Sequence, residues 1–252
     1  MASRNPQRER RTSRFLAGLV FLALLTPAPA HAADPRQVEL GRRIAEGAEL
    51  PEARTCSRCH GVLGIGRPEE GTPRLAGQAR LYLHKQLDDF ASGARPSEKM
   101  APVARALTVE QRGAVAAYYA SLHAIPYPGA PWGDPELLQR GGVLSAIGDE
   151  GRGIRACQLC HANAGVGIAP SFPYLAGQYA EYTARQLSLW KAGGRRNDPL
   201  DAMGEIARRL DGREIEALGL YFARVRPPPA DLSSPIPAEP IPPPPDAPSV
   251  AD

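Results

Sequence analysis

The pentapeptide Cys-x-x-Cys-His occurs twice in this chain, as Cys56-Ser57-Arg58-Cys59-His60 and Cys157-Gln158-Leu159-Cys160-His161, and the two copies hold all four cysteines. Two thiols at this spacing can add across the two vinyl groups of one haem, and the adjacent histidine is then held under the ring as an axial ligand to iron. Two copies predict two covalently bound haem c groups. Cys56, Cys59, Cys157 and Cys160 are the expected attachment points, with His60 and His161 as iron ligands. Zinc is a weaker use of the same residues, since each motif is already a compact haem signature and an exported chain keeps few free thiols.

Iron has a second axial position, filled by Met, by His, or left open for chemistry. Met1 apart, the chain has two methionines, Met100 and Met203, which lie 40 and 42 residues after their histidines. Methionine is often flexible core filler, but matched singletons in both halves favour a ligand role. The competing histidines, His84 and His123, occur only in the first half, opposite Ala184 and Val225 or a neighbour, and are expected on helix surfaces. His/Met ligation at both irons is therefore the economical assignment. A soft neutral thioether favours ferrous iron, so both potentials should be fairly high. A haem histidine also needs its other ring nitrogen held by an acceptor. Pro73 and Pro173 follow their histidines by 13 and 12 residues in a repeated Pro-x-Leu, which gives them a haem-packing role.

The elements that must position these groups are helical and come in two copies. Pro73-Arg74-Leu75-Ala76-Gly77-Gln78 returns as Pro173-Tyr174-Leu175-Ala176-Gly177-Gln178, and Tyr82 with Gln86-Leu87 returns as Tyr182 with Gln186-Leu187. A repeat of about 100 residues carrying a full motif each time is a duplicated domain, too long for a solenoid unit. A first helix is predicted over 35–46 and 135–146, with Asp34 or Asp134 as N-cap and a proline at the first helical position. A second runs over 80–92 and 179–192, ending at Gly93 and Gly193. A third starts after Thr108 and Asp211, and Val115, Tyr118, Tyr119 and Leu122 recur at helical spacing. No stretch of useful length alternates with period two. The fold class is all-α, with two tandem domains over 33–123 and 135–226, each wrapped around one haem that supplies much of its core.

The flanking segments have different chemistry. Five arginines in residues 4–14, an apolar run from Phe15 to Leu25, then Pro27, Pro29 and Ala30-His31-Ala32 form a secretory signal, cut after residue 32. Eleven apolar residues are about half of what a bilayer span needs. Export to the periplasm follows. Without this leader the chain holds 25 basic and 26 acidic residues, so no basic stripe remains for nucleic acid. Residues 124–134 contain three prolines and read as a semi-stiff connector. In residues 227–252, 11 of 26 are proline and none is basic, a composition expected to stay disordered.

Cys-x-x-Cys-His, then Pro-x-Leu-Ala-Gly-Gln, a helix with Tyr and Gln-Leu, then Met, Leu-Thr and an aromatic helix resemble class I cytochrome c. With one motif set per half, residues 36–226 resemble the two-haem cytochrome c4 family. The resemblance implies that the Pro73 and Pro173 carbonyls accept from His60 and His161, and that Met100 and Met203 complete the irons. It further implies that the first helix crosses the third near Gly41 and Tyr118, and near Gly142 and Tyr221, where glycine permits close approach. The chain departs from the pattern at Ala162, where the family often has glycine after the histidine, and in its proline-rich tail.

The function these features imply is one-electron transfer by two His/Met haems, not catalysis, because filled axial sites leave no place for a small-molecule substrate at iron. The expected partners are redox proteins: a membrane cytochrome complex or dehydrogenase as donor, a terminal oxidase or reductase as acceptor. Any membrane association would be peripheral. Two other readings are a cytochrome subunit tethered to a larger dehydrogenase by its tail, and a dihaem peroxidase, for which no repeated extra histidine exists.

Overall fold

Asp34 and Asp134 behave as the helix-start pattern requires. Each carboxylate accepts the N–H two residues on, at 2.9 Å from Arg36 and from Glu136, and a proline fills the first helical position. In the computed structural model, which describes residues 34–48, 55–123, 125–130 and 132–226, the elements run α1 (Pro35–Ala45), α2 (Cys56–His60), α3 (Arg80–Ser92), α4 (Met100–Arg105), α5 (Val109–Ser121), α6 (Pro135–Ala146), β1 (Gly148–Asp149), β2 (Ile154–Arg155), α7 (Gln158–His161), α8 (Ala180–Lys191), α9 (Ala202–Arg209) and α10 (Gly212–Arg224). The proposed leader, the tail and residues 124 and 131 of the connector lie outside the described residues.

The two halves use the same packing. α1 lies on α5 and α3 joins both α5 and α4, while α6 lies on α10 and α8 joins both α10 and α9. The fold is all-α apart from the two-residue β1–β2 hairpin, which has no counterpart strand pair in the first half among the described residues. Ile44, Leu83, Leu107, Val115, Tyr118 and Tyr119 form one buried cluster; Leu144, Ile154, Leu187, Leu210, Ile215, Leu218 and Phe222 form the other. Thr108 and Asp211 each start the last helix of their half with a reciprocal capping box, to Gln111 and Glu214. Glu214 also receives Arg140 and Arg152. Burial alone would raise its pKa, but these guanidiniums and the Asp211 N–H hold it at about 2, so it stays charged into strong acid.

The helix crossing requires one correction. A Cβ on Gly41 would sit 2.0 Å from the Ala114 carbonyl oxygen, so α1 touches α5 backbone to backbone as expected. In the second half the equivalent residue is Gly141, whose Cβ would lie 2.3 Å from the Ala217 oxygen and 2.8 Å from the Tyr221 Cβ. Gly142 is looser, at 3.3 Å from the Tyr221 ring. The helices start 100 residues apart, so Gly41 pairs with Gly141; the one-residue offset enters at the helix C-terminus, where α6 is one residue longer than α1, and is carried on to Gly47 and Gly148.

The halves meet across a pseudo-twofold arrangement of polar side chains. Gln78 donates to the Tyr174 carbonyl at 2.9 Å and accepts its N–H at 2.8 Å; Gln178 donates to the Arg74 carbonyl at 2.9 Å and accepts its N–H at 3.0 Å. Each glutamine also accepts the N–H of the residue after it, Ala79 or Tyr179, just before its own helix. Beyond them, Arg95 donates to Gln86, Gln186 and the Tyr182 hydroxyl, and Arg195 donates to Gln186, Gln86 and the Tyr82 hydroxyl, all at 2.7–3.1 Å. Both arginines are only 7% exposed. Burial tends to raise the Tyr82 pKa, but Arg195 and Arg95 outweigh it and bring the phenol below its ordinary value.

The connector is held by packing on both halves. Arg74 donates to the Pro126 and Ile125 carbonyls at 2.8 Å each and stacks on Tyr127. The Tyr127 hydroxyl hydrogen-bonds that of Tyr174, its ring covers Gly177, and Arg226 donates to the Pro128 carbonyl.

Candidate functional site

Each Cys-x-x-Cys-His motif forms or adjoins a single helical turn, α2 or α7, which brings the two thiols and the imidazole to one place. His60 and His161 are each 6% exposed. His60 Nδ1 lies 3.1 Å from the Pro73 carbonyl, and His161 Nδ1 lies 2.9 Å from the Pro173 carbonyl. A carbonyl only accepts, so Nδ1 must carry the hydrogen in both rings and Nε2 keeps its lone pair. Burial pushes both imidazole pKa values down, with the proline carbonyl partly opposing, so the rings are neutral and ready to ligate a metal. The segment between motif and proline is a tight loop closed by a bridge, Arg67 to Thr72 in one half and Ile168 to Phe172 in the other. The second loop is one residue shorter, which accounts for the spacings of 13 and 12.

The four cysteines form no disulfide with one another. Burial raises Cys56 and Cys157 to about 11, so each is a protonated thiol, while Cys59 is exposed and Cys160 half-buried. Two cysteines one helical turn apart, followed by an imidazole with one open nitrogen, are a donor set that fits covalent haem, and both halves supply it.

Met100 opens α4, with its N–H bonded to the Ser97 hydroxyl at 3.1 Å; Met203 lies in the first turn of α9, with its N–H bonded to an Asp198 carboxylate oxygen at 3.0 Å. Both side chains are partly buried, and Met203 packs on the second core cluster. Among the described residues no hydrogen bond joins either sulfur to a histidine. The competing histidines occupy other places. His84 is partly buried between α3 and α5, near Gly113 and 3.6 Å from Asp88, and His123 is exposed.

Ala162 explains why glycine is common after the histidine. Its φ is 59° and ψ 172°, matching Gly61 at 73° and 156°. That region is costly for any residue with a Cβ, by about 1–3 kcal/mol. Ala162→Gly is therefore expected to stabilise the protein by about 1 kcal/mol in chemical denaturation of the holoprotein, whereas an unchanged or lower midpoint would contradict the strain.

The sequence reading saw Gln78, Tyr82, Gln86 and their repeats as marks of duplication, and it missed that they form the seam between the halves. Arg95 and Arg195 were missed altogether. The available signal was a set of polar residues, Gln, Tyr and Arg, repeated at 100-residue spacing in and beside the second helix of each half.

The Cytochrome c family model matches residues 44–123. A thiosulfate dehydrogenase electron acceptor of Stutzerimonas stutzeri strain A1501 is 43% identical over 212 residues, covering 83% of this chain and 94% of that protein. A cytochrome c4 of Pseudomonas aeruginosa is 37% identical over 173 residues, covering 68% of this chain and 84% of the relative. The chain belongs to the cytochrome c4 family. As a cytochrome c4 it carries two covalently bound haem c groups, and its role is dihaem electron transfer. Among solved structures, a thiosulfate dehydrogenase from Marichromatium purpuratum aligns with a TM-score of 0.67 and 38% identity over 74% of this cytochrome c4. This chain spans 40% of that longer one. Among the described residues no helix is long and apolar enough to cross a membrane.

Proposed function

We propose that this cytochrome c4 is a periplasmic carrier that takes single electrons from a thiosulfate-oxidising dehydrogenase and delivers them to an oxidase or reductase. The observation that carries the donor assignment is the 43% identity to a protein named as a thiosulfate dehydrogenase electron acceptor, over 94% of its length. Each bound haem supplies a one-electron ferric/ferrous couple. Within the chain, His60 and His161 present a neutral Nε2 to iron, and the Pro73 and Pro173 carbonyls fix the orientation of both rings. Cys56, Cys59, Cys157 and Cys160 provide the thioethers. Met100 and Met203 would supply the second protein ligand to each iron; that would leave no iron site for a substrate, and the chain would conduct electrons without catalysing a reaction of its own. The working units are residues 33–123 and 135–226, joined by the pinned connector 124–134, with residues 1–32 removed on export and 227–252 acting as a solubilising tail.

The test is anaerobic stopped-flow mixing of the oxidised holoprotein with thiosulfate and a purified thiosulfate dehydrogenase, following the haem absorption in the visible. The expected result is rapid reduction of two haems per chain that depends on both the enzyme and thiosulfate. Reduction no faster than with thiosulfate alone would overturn the donor assignment. A reduced protein that binds carbon monoxide at neutral pH would overturn the closed axial sites.

A further inference from the structure

The segments that present the two methionines are built differently. From Arg95 to Met100 is five residues; from Arg195 to Met203 is eight. In the shorter segment the Met100 N–H is held by the neutral Ser97 hydroxyl at 3.1 Å. In the longer one a carboxylate does this work: Asp198 accepts the Met203 N–H at 3.0 Å through one oxygen and the Leu200 N–H at 3.1 Å through the other. The Asp198 carbonyl also accepts the Asp201 N–H at 3.0 Å, closing the loop. Asp201 has its charge matched by Arg208 at 2.7 Å, whereas Asp198 has no ion-pair partner among the described residues. A half-buried, uncompensated negative charge therefore sits one hydrogen bond and one side-chain length from whatever the Met203 sulfur binds. The first half has a hydroxyl at that place.

We infer that Asp198 is a positioning residue for Met203 and that its charge sets the potential of the second haem below the value a neutral cap would give. The inference rests on the reading of Met203 as an iron ligand. A negative charge favours the ferric state, which carries one more positive charge than the ferrous state. Over a distance of about 10 Å, and at the effective dielectric of a partly buried site, this bias is on the order of tenfold in the ferric/ferrous ratio. Salt screens it little, because Asp198 is partly buried and the path runs through protein.

Met100 and Met203 are the two methionines outside the leader, so methyl-13C-methionine labelling of the holoprotein gives each iron its own NMR reporter. In the reduced wild type, a Met203 methyl resonance without a large porphyrin ring-current shift would refute the ligand reading itself, separately from the inference about Asp198. With both methyls ring-shifted, each couple is followed by the loss of its own diamagnetic signal during a potentiometric titration. Asp198→Asn keeps a cap acceptor and removes the charge. It is expected to raise the Met203 couple by about tenfold in the ferrous/ferric ratio, about 59 mV for one electron, with the Met100 couple unmoved and both ring-shifted methyls retained. Ser97→Asp is expected to lower the Met100 couple by a similar factor. A second couple that stays within twofold in Asp198→Asn, or two couples that move together, would overturn the inference.

Discussion

A chain with Cys157 and Cys160 both replaced by serine is expected to carry one haem instead of two, and to lose the folded second half. That half is about 90 residues, and its buried apolar cluster consists of Leu144, Ile154, Leu187, Leu210, Ile215, Leu218 and Phe222. Cys157 and Met203 pack against this cluster from its edge, so a haem held by them would extend that core. Domains of this size bury a small fraction of their surface and are marginal without a cofactor or crosslink. The thioethers also confine the haem to the chain before folding, and without them its binding depends on concentration. A pyridine haemochrome count per chain reads the first effect directly. Circular dichroism should show loss of up to about half of the helix, with the remainder melting at lower temperature because the seam has lost one side. Two haems per chain, or full helix with an unchanged transition, would contradict this account.

The second large effect is expected from Gln78→Ala combined with Gln178→Ala. Each glutamine closes two hydrogen bonds across the seam and one to its own helix start. Truncation leaves the N–H and carbonyl of residues 74 and 174 without their partners in a water-poor interface. Unsatisfied buried groups cost about 1–3 kcal/mol each, so a loss of about 2–4 kcal/mol is expected even if water reaches some of them. Denaturant unfolding of the wild type should be a single transition, because the described residues form one unit and the seam couples the halves. In the double variant, haem absorbance and far-ultraviolet signals should resolve two transitions, and proteolysis within the connector should accelerate. One transition at the wild-type midpoint would show that the seam contributes little.

The legible parts of the fold were those with local causes. Asp34, Thr108, Asp134 and Asp211 announced helix starts because a short polar side chain before an apolar periodic run can satisfy the free N–H groups. The histidine–proline contact was legible only through resemblance, because nothing in a spacing of 12 or 13 residues reveals that a carbonyl will face an imidazole. The Gly142 assignment failed by one position because counting back across an insertion loses register, whereas counting from the two helix-start prolines keeps it. The short helices α4 and α9, which carry the methionines, gave no apolar period long enough to find. Least legible was the seam. Gln and Tyr on a helix, and Arg just past its end, read as solvent-facing until the second copy of the same segment covers them.

That arrangement has a consequence for how such a chain could arise. Every main seam contact made by one half is returned by the corresponding residue of the other, so a single half carries both the lock and the key. Two separate copies of such a half could pair through the same groups as a homodimer, at a strength set by their abundance. Fusion through residues 124–134 replaces that dependence with a constant local concentration. It also frees the halves to diverge: Asp89 now bonds Asn197 across the seam while the matching position holds Leu189, a pairing that identical subunits could not reserve for one side.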